Sequence, residues 1–120
     1  MMQELLDGLT KILGPIAILS RDKRELKDTA LMSIATALNE TYFYYNEIKN
    51  GALRNVQRER ELATYWSAAA IAIRHFDLEL AALCSDKSGF WINPDEYKQG
   101  EIKMHHASLD NIRRAFLKLL

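Results

Sequence analysis

Two ionisable side chains, Asp77 and His105, interrupt helical stripes that are otherwise apolar, and Thr41 does the same with a hydroxyl. A carboxylate in such a stripe must find a partner, because burying an unpaired charge costs several kcal/mol, of order 3–5. Antiparallel helices joined around Gly51 bring Asp77 level with Lys27 and Arg24. A turn near Trp91 brings His105 to Leu80, one helical turn from Asp77. The expectation is a polar core node of Asp77, His105 and Lys27 whose first role is to satisfy the acid and hold helix register. The alternative is a small-molecule or enzymatic site, with His105 as acid/base and Asp77 orienting it, closed by the aromatics Phe90, Trp91 and Tyr97.

Metal and cofactor chemistry has little to stand on. Asp77, Cys84, Glu101, His105 and His106 fall towards one end of such a bundle, and Glu101 and His105 share a helical face. Di-iron bundles, however, repeat Glu-x-x-His, which is absent, as are His-Glu-x-x-His and Cys-x-x-Cys. Neither a phosphate-binding Gly-x-x-x-x-Gly-Lys-Ser/Thr loop nor a Gly-x-Gly-x-x-Gly turn occurs. No metal, cofactor or catalytic residue is therefore expected. Cys84 reads as a small core residue, since no adjacent base activates it.

Aromatic residues offer a different kind of site. Tyr42-Phe43-Tyr44-Tyr45 covers every face of a helix. Tyr42 and Tyr45 join the apolar stripe, leaving Phe43 and Tyr44 to project elsewhere. They either pack against the kink of the first helix or the loop, or, with Arg54 and Arg58 close by, form an exposed anchor patch with the composition of a protein-interaction surface. The same aromatics with Arg54, Arg58 and Arg60 could stack and neutralise a single-stranded nucleic acid, but Glu59 and Glu61 interrupt the basic cluster.

These residues must be positioned by helices. Four segments place apolar residues at alternating intervals of three and four. The first, Leu5 to Leu19, runs through Gly14-Pro15, where proline kinks or splits it. The second opens at Asp22 with Glu25 as a capping box, or at Asp28, and ends at Asn50-Gly51. A third, from Val56 to Ser85, carries the widest apolar surface, and a fourth follows the seam Ile102, His105, Leu109, Ile112, Phe116 and Leu119. Between them Asp86 to Gln99 reads as an aromatic-rich loop, in which Asn93, Pro94 and Glu96 start a short turn of helix. The fold expected is all-α: an antiparallel up-down four-helix bundle over residues 1–120, a single domain, with a kinked or split first helix.

Composition agrees. Of 120 residues 48% are hydrophobic, enough for one core, and Gly 5 with Pro 2 is too few for an all-β sandwich. Sixteen basic and sixteen acidic residues leave no net charge to attract nucleic acid or membrane surfaces. One cysteine, no basic segment ahead of the first apolar stretch, and a longest apolar run of only Ala68 to Ile73 point to a cytoplasmic chain without a membrane span. The function expected from the residues is a non-catalytic helical interaction or regulatory module, able to self-associate or to bind a protein partner.

Overall fold

The computed structural model describes the backbone of residues 21–96 and 99–119 and the side chains of residues 22–96 and 108–118. Among the described residues there are four helices and no strand: α1 (Arg21–Lys49), α2 (Val56–Ile73), α3 (Leu78–Ile92) and α4 (Gln99–Leu119), with a 3₁₀ turn at Pro94–Glu96. They form an all-α helical bundle. The segment Leu5 to Leu19 and its expected bend at Pro15 lie outside the described residues.

Helix α1 begins with an acid, Asp22, in its first turn and ends on Lys49, matching the helix dipole at both ends. Its stop is set by Gly51, whose φ of +99° is the left-handed conformation that closes a helix. The Ala52 N–H then returns to the Glu47 carbonyl at 2.9 Å. This tight turn makes α1 and α2 antiparallel, and three contacts fix their register: Thr41 with Trp66, Tyr44 with Glu59, and Glu47 with Arg58. At the centre the Thr41 hydroxyl donates to the Ala37 carbonyl at 2.7 Å and accepts from Trp66 Nε1 at 2.9 Å. The polar residue in the stripe is thus satisfied inside the core.

The third segment differs from its sequence expectation. Instead of one helix from Val56 to Ser85, the chain breaks after Ile73 and restarts at Leu78. Asp77 is the N-cap of α3, accepting from the Leu80 N–H at 3.0 Å, and Glu79 adds an acid to the first turn. Phe76 just before the cap and Ala81 four residues into the helix are both buried, the arrangement of a hydrophobic staple. Amides of Phe76 and Asp77 share the Ile73 carbonyl, so the turn satisfies its own backbone. The apolar spacing Ile73, Leu80, Cys84 keeps phase across the break, which is why periodicity alone does not reveal it. Asp77→Ala should cost about 1 kcal/mol, read as a lower midpoint in urea with unchanged helicity in the native baseline.

Because α3 starts late it also ends late. Much of the expected loop from Asp86 is helix, and Phe90 and Trp91 sit buried in its last turn. The helical turn expected at Asn93-Pro94 is present as the 3₁₀ turn, closed by the Glu96 N–H on the Asn93 carbonyl. Helices α2 and α3 pack closely through small residues, with Ala63, Ala69 and Ala81 buried. Ser88 Oγ donates to the Ala63 carbonyl at 2.9 Å and lies 2.6 Å from Ser67 Oγ, tying the two helices together. Helix α4 buries Leu109, Ile112 and Ala115. It is joined to α1 by the Tyr42 hydroxyl, which donates to Asp110 Oδ1 at 2.6 Å, and by Arg113 over the Tyr42 ring. Burial and that carboxylate push the Tyr42 phenol up to about 12. No helix among the described residues is long and apolar enough to cross a membrane.

Candidate functional site

The polar groups gather where α1 ends and α2 begins, at the opposite end of this hairpin from Lys27 and Asp77, where the stripe pattern placed them. Asn55 caps α2, accepting from the Arg58 N–H at 3.1 Å. Its own N–H donates to the Tyr44 hydroxyl at 3.0 Å, and that hydroxyl in turn donates to Glu59 Oε2. Glu59 is almost fully buried and is gripped from the other side by Arg54, Nε on Oε2 at 3.0 Å and Nη2 on Oε1 at 2.8 Å. The two-pronged Arg54 contact holds the Glu59 carboxyl below the usual carboxylate range against the opposing effect of burial, with the Tyr44 hydrogen bond assisting. Burial first, and the Glu59 contact second, raise the Tyr44 phenol.

Arg54 has a third contact, Nη1 to Asp95 Oδ1 at 2.5 Å, which links the α1–α2 connection to the 3₁₀ turn after α3. Beside this chain of charges lies an open cleft of about 240 Å³ whose apolar wall is Tyr45, Ile48, Phe90, Trp91 and Pro94. The wall is ordered by ring contacts: Trp91 meets Tyr44 edge-on at 5.7 Å, Phe90 edge-on at 4.9 Å, and Tyr45 at 5.5 Å. The indole N–H of Trp91 is buried and has no acceptor among the described residues. Leu53 and Ile92, the sequence neighbours of the lining residues Arg54 and Trp91, are 89% and 72% exposed. A second depression, about 380 Å³, lies along one helix and is lined by Gln57, Arg60, Glu61, Thr64 and Tyr65, with Tyr65 as its one aromatic.

No protein-family model, curated protein or solved structure matches this chain. The site is therefore read from its own geometry.

Of the expected interaction residues, Tyr44, Arg54 and Arg58 come together around Glu59, with the Arg58 guanidinium 5.8 Å from the Tyr44 ring centroid. Phe43 stands apart, exposed on the outer side of α1. Tyr44 is buried, with Trp91 of the segment read as a loop edge-on to its ring, so it follows the packing reading and not the exposed-anchor one. The inward face of α1 runs through Ala30, Ile34, Ala37, Thr41 and Tyr44, and its two alanines disguise the stripe. Arg54 and Arg58 are each engaged by two carboxylates, Arg58 by Glu47 at 3.1 Å and Glu40 at 3.8 Å. Neither is a free cation for a phosphate backbone, whereas Arg60 is exposed.

Of the expected node of Asp77, His105 and Lys27, the described residues reach only Asp77 and Lys27, and those two are not joined. Asp77 spends its carboxylate on the α3 cap, and no ion pair joins it to Lys27, which is buried on α1. His105 lies in α4, its side chain outside the described residues, as do Tyr97, Glu101 and His106. Among the described residues no group of three or more His, Cys, Asp or Glu could hold a metal ion. Cys84 is fully buried, and that burial pushes its thiol up to about 12, the opposite of an activated nucleophile.

Two buried charges were missed by sequence reasoning. Glu59 sits three, four and seven residues before Leu62, Ala63 and Trp66, so it shares their stripe, a signal hidden inside a run of alternating charges. Lys87 is 2% exposed on α3, three residues after Cys84 and four before Trp91, in the segment read as loop. Burial lowers its ammonium to about 8, opposed by Asp86. From pH 8 upward the unfolded chain holds a proton that the folded chain has released, so stability should rise with pH until tyrosines ionise near 10. Lys87→Met should remove this rise, measured by urea unfolding across that range.

Proposed function

We propose that this chain is a non-catalytic helical interaction module and that the cleft between the α1–α2 turn and the end of α3 is where a protein partner inserts an apolar side chain. The observation that carries the reading is the combination of size and wall. Small-molecule sites enclose roughly 300–1,000 Å³ and bury most of their ligand, whereas this cleft is open and about 240 Å³. That space suits one large aliphatic or aromatic side chain, the kind of anchor that carries most of the energy in protein interfaces. Leu53 and Ile92, next in sequence to lining residues, add exposed apolar surface, and the Arg54 network supplies a polar edge.

The nucleic-acid alternative is weaker on the same residues, since binding phosphates would require breaking the pairs that hold Arg54 and Arg58. Selection of a random-peptide display library on the purified protein tests the proposal. Selected peptides should share one large apolar residue and shift backbone resonances of Tyr45, Ile48 and Trp91. The double variant Leu53→Asp with Ile92→Asp should lose at least about tenfold in affinity while keeping its far-ultraviolet circular dichroism, since both side chains are exposed. Equal binding by that variant, or resonance shifts confined to another face, would overturn the assignment.

A further inference from the structure

The chemistry of the partner can be taken one step further, resting on the cleft reading above. The charges along the cleft do not cancel. Arg54 already has a full carboxylate partner in buried Glu59, through two of its nitrogens, so its contact with Asp95 is additional. Asp95 is 75% exposed at its side chain and its contact with Arg54 is through Oδ1 alone. Glu96, the next residue, is exposed and makes no ion pair among the described residues. Both acids belong to the 3₁₀ turn that begins at Pro94, a wall residue of the cleft. An apolar pocket therefore stands beside two accessible carboxylates, of which Asp95 contacts Arg54, a cation already engaged by Glu59, and Glu96 has no ion pair among the described residues.

We infer that the partner segment carries a Lys or Arg within about two residues of its apolar anchor, with the anchor seated against Tyr45, Ile48, Trp91 and Pro94 and the cation held by Asp95 and Glu96. An anchor on an extended segment places the next side chains roughly 3.3 to 7 Å along the chain, which spans from the cleft wall to the adjoining turn. The apolar contact supplies affinity. The charge contact supplies selectivity, because exposed pairs add little binding energy but penalise a like charge brought into the same place. A partner with an acid beside its anchor meets two carboxylates and is rejected.

The test uses the full chain and the peptides selected from the display library. Basic residues should be enriched next to the anchor. For a matched pair of synthetic peptides differing in one position beside the anchor, the lysine form should bind about fivefold more tightly than the glutamate form at low salt, and the gap should narrow in 0.5 M NaCl. Glu96→Gln should weaken the lysine peptide by about twofold, and Glu96→Lys should reverse the preference; neither change touches a buried group, so both variants fold. Peptides that occupy the cleft but show no basic enrichment, with unchanged affinity in Glu96→Lys, would overturn this inference and leave the cleft as an apolar anchor site. A library that yields no peptide sensitive to the Leu53→Asp and Ile92→Asp pair would overturn both. Concentration-dependent dimerisation abolished by that same pair, without peptide binding, would make a second copy the occupant and also overturn it.

Discussion

Trp66→Ala should lower the unfolding free energy by about 4 kcal/mol, the largest effect expected of any substitution considered for this chain. Trp66 is fully buried at the middle of the α1–α2 interface and is the largest side chain with no exposure. Removing it leaves a cavity in a core where Ala37 and Ala69 are likewise without exposure and have no longer side chain to fill the space, so collapse is limited. For a domain with about 5–15 kcal/mol to lose, that is a large share, and the thermal midpoint should fall by about 15 °C. Trp66→Phe separates volume from polarity. It keeps most of the ring but deletes the donor to Thr41, whose own hydroxyl still donates to the Ala37 carbonyl. Its cost should be about 1–2 kcal/mol. Thermal and urea melts followed by circular dichroism decide the matter: equal losses in the two variants would mean that the hydrogen bond, rather than the filled volume, holds this part of the core.

Glu59→Ala should be the second largest loss, about 2 kcal/mol at pH 7. It strips an acceptor from the buried Tyr44 hydroxyl and leaves Arg54 with Asp95 alone. The value is kept below that for a fully buried pair because Arg54 is half exposed and water takes over its solvation. The acid dependence follows in sign. The Glu59 carboxyl in the folded chain lies below its unfolded value, so its stabilisation is complete above the ordinary carboxylate range and is lost as pH falls through that range towards the lower folded value. Glu59→Gln should therefore differ most from the wild type near neutral pH, and the difference should shrink as the pH drops below about 4. Urea midpoints from pH 7 to pH 3 measure this. A gap that stays constant with pH would show that Glu59 acts through shape rather than charge. Since Tyr44, Arg54 and Asp95 line the cleft, peptide affinity should fall in both Glu59 variants along with stability.

Individual residues show how far the chain could be read without its structure. The helical turn at Asn93-Pro94 and the left-handed stop at Gly51 were legible because each depends on neighbours within four residues, whereas Asp22, read as a cap, lies inside the first turn of α1. Thr41 was legible as an intruder in a stripe, though its partner Trp66 was not. The break at Asp77 had a local sign, an N-cap residue behind a large apolar one, but an unbroken apolar spacing outweighed it. Tyr44 and Phe43 differ by one residue and by 100° around the helix. Which of them turned inward depended on counting Ala30 and Ala37 as core, and small side chains give a weak signal of burial.

The amino-acid sequence by itself determined that this chain is helical, where the α1–α2 turn closes, and that the two helices flanking that turn run antiparallel. These follow from periodicity and turn chemistry, which act over a few residues. The tertiary structure alone decided which polar groups became the site. Tyr44, Arg54, Glu59 and Asp95 come from four separate places in the chain, and each looks like an ordinary surface residue among its neighbours. Their meeting depends on helix rotation and packing, and so does the cleft beside them. Both are set by how apolar faces fill space together, a property that no short stretch of sequence contains.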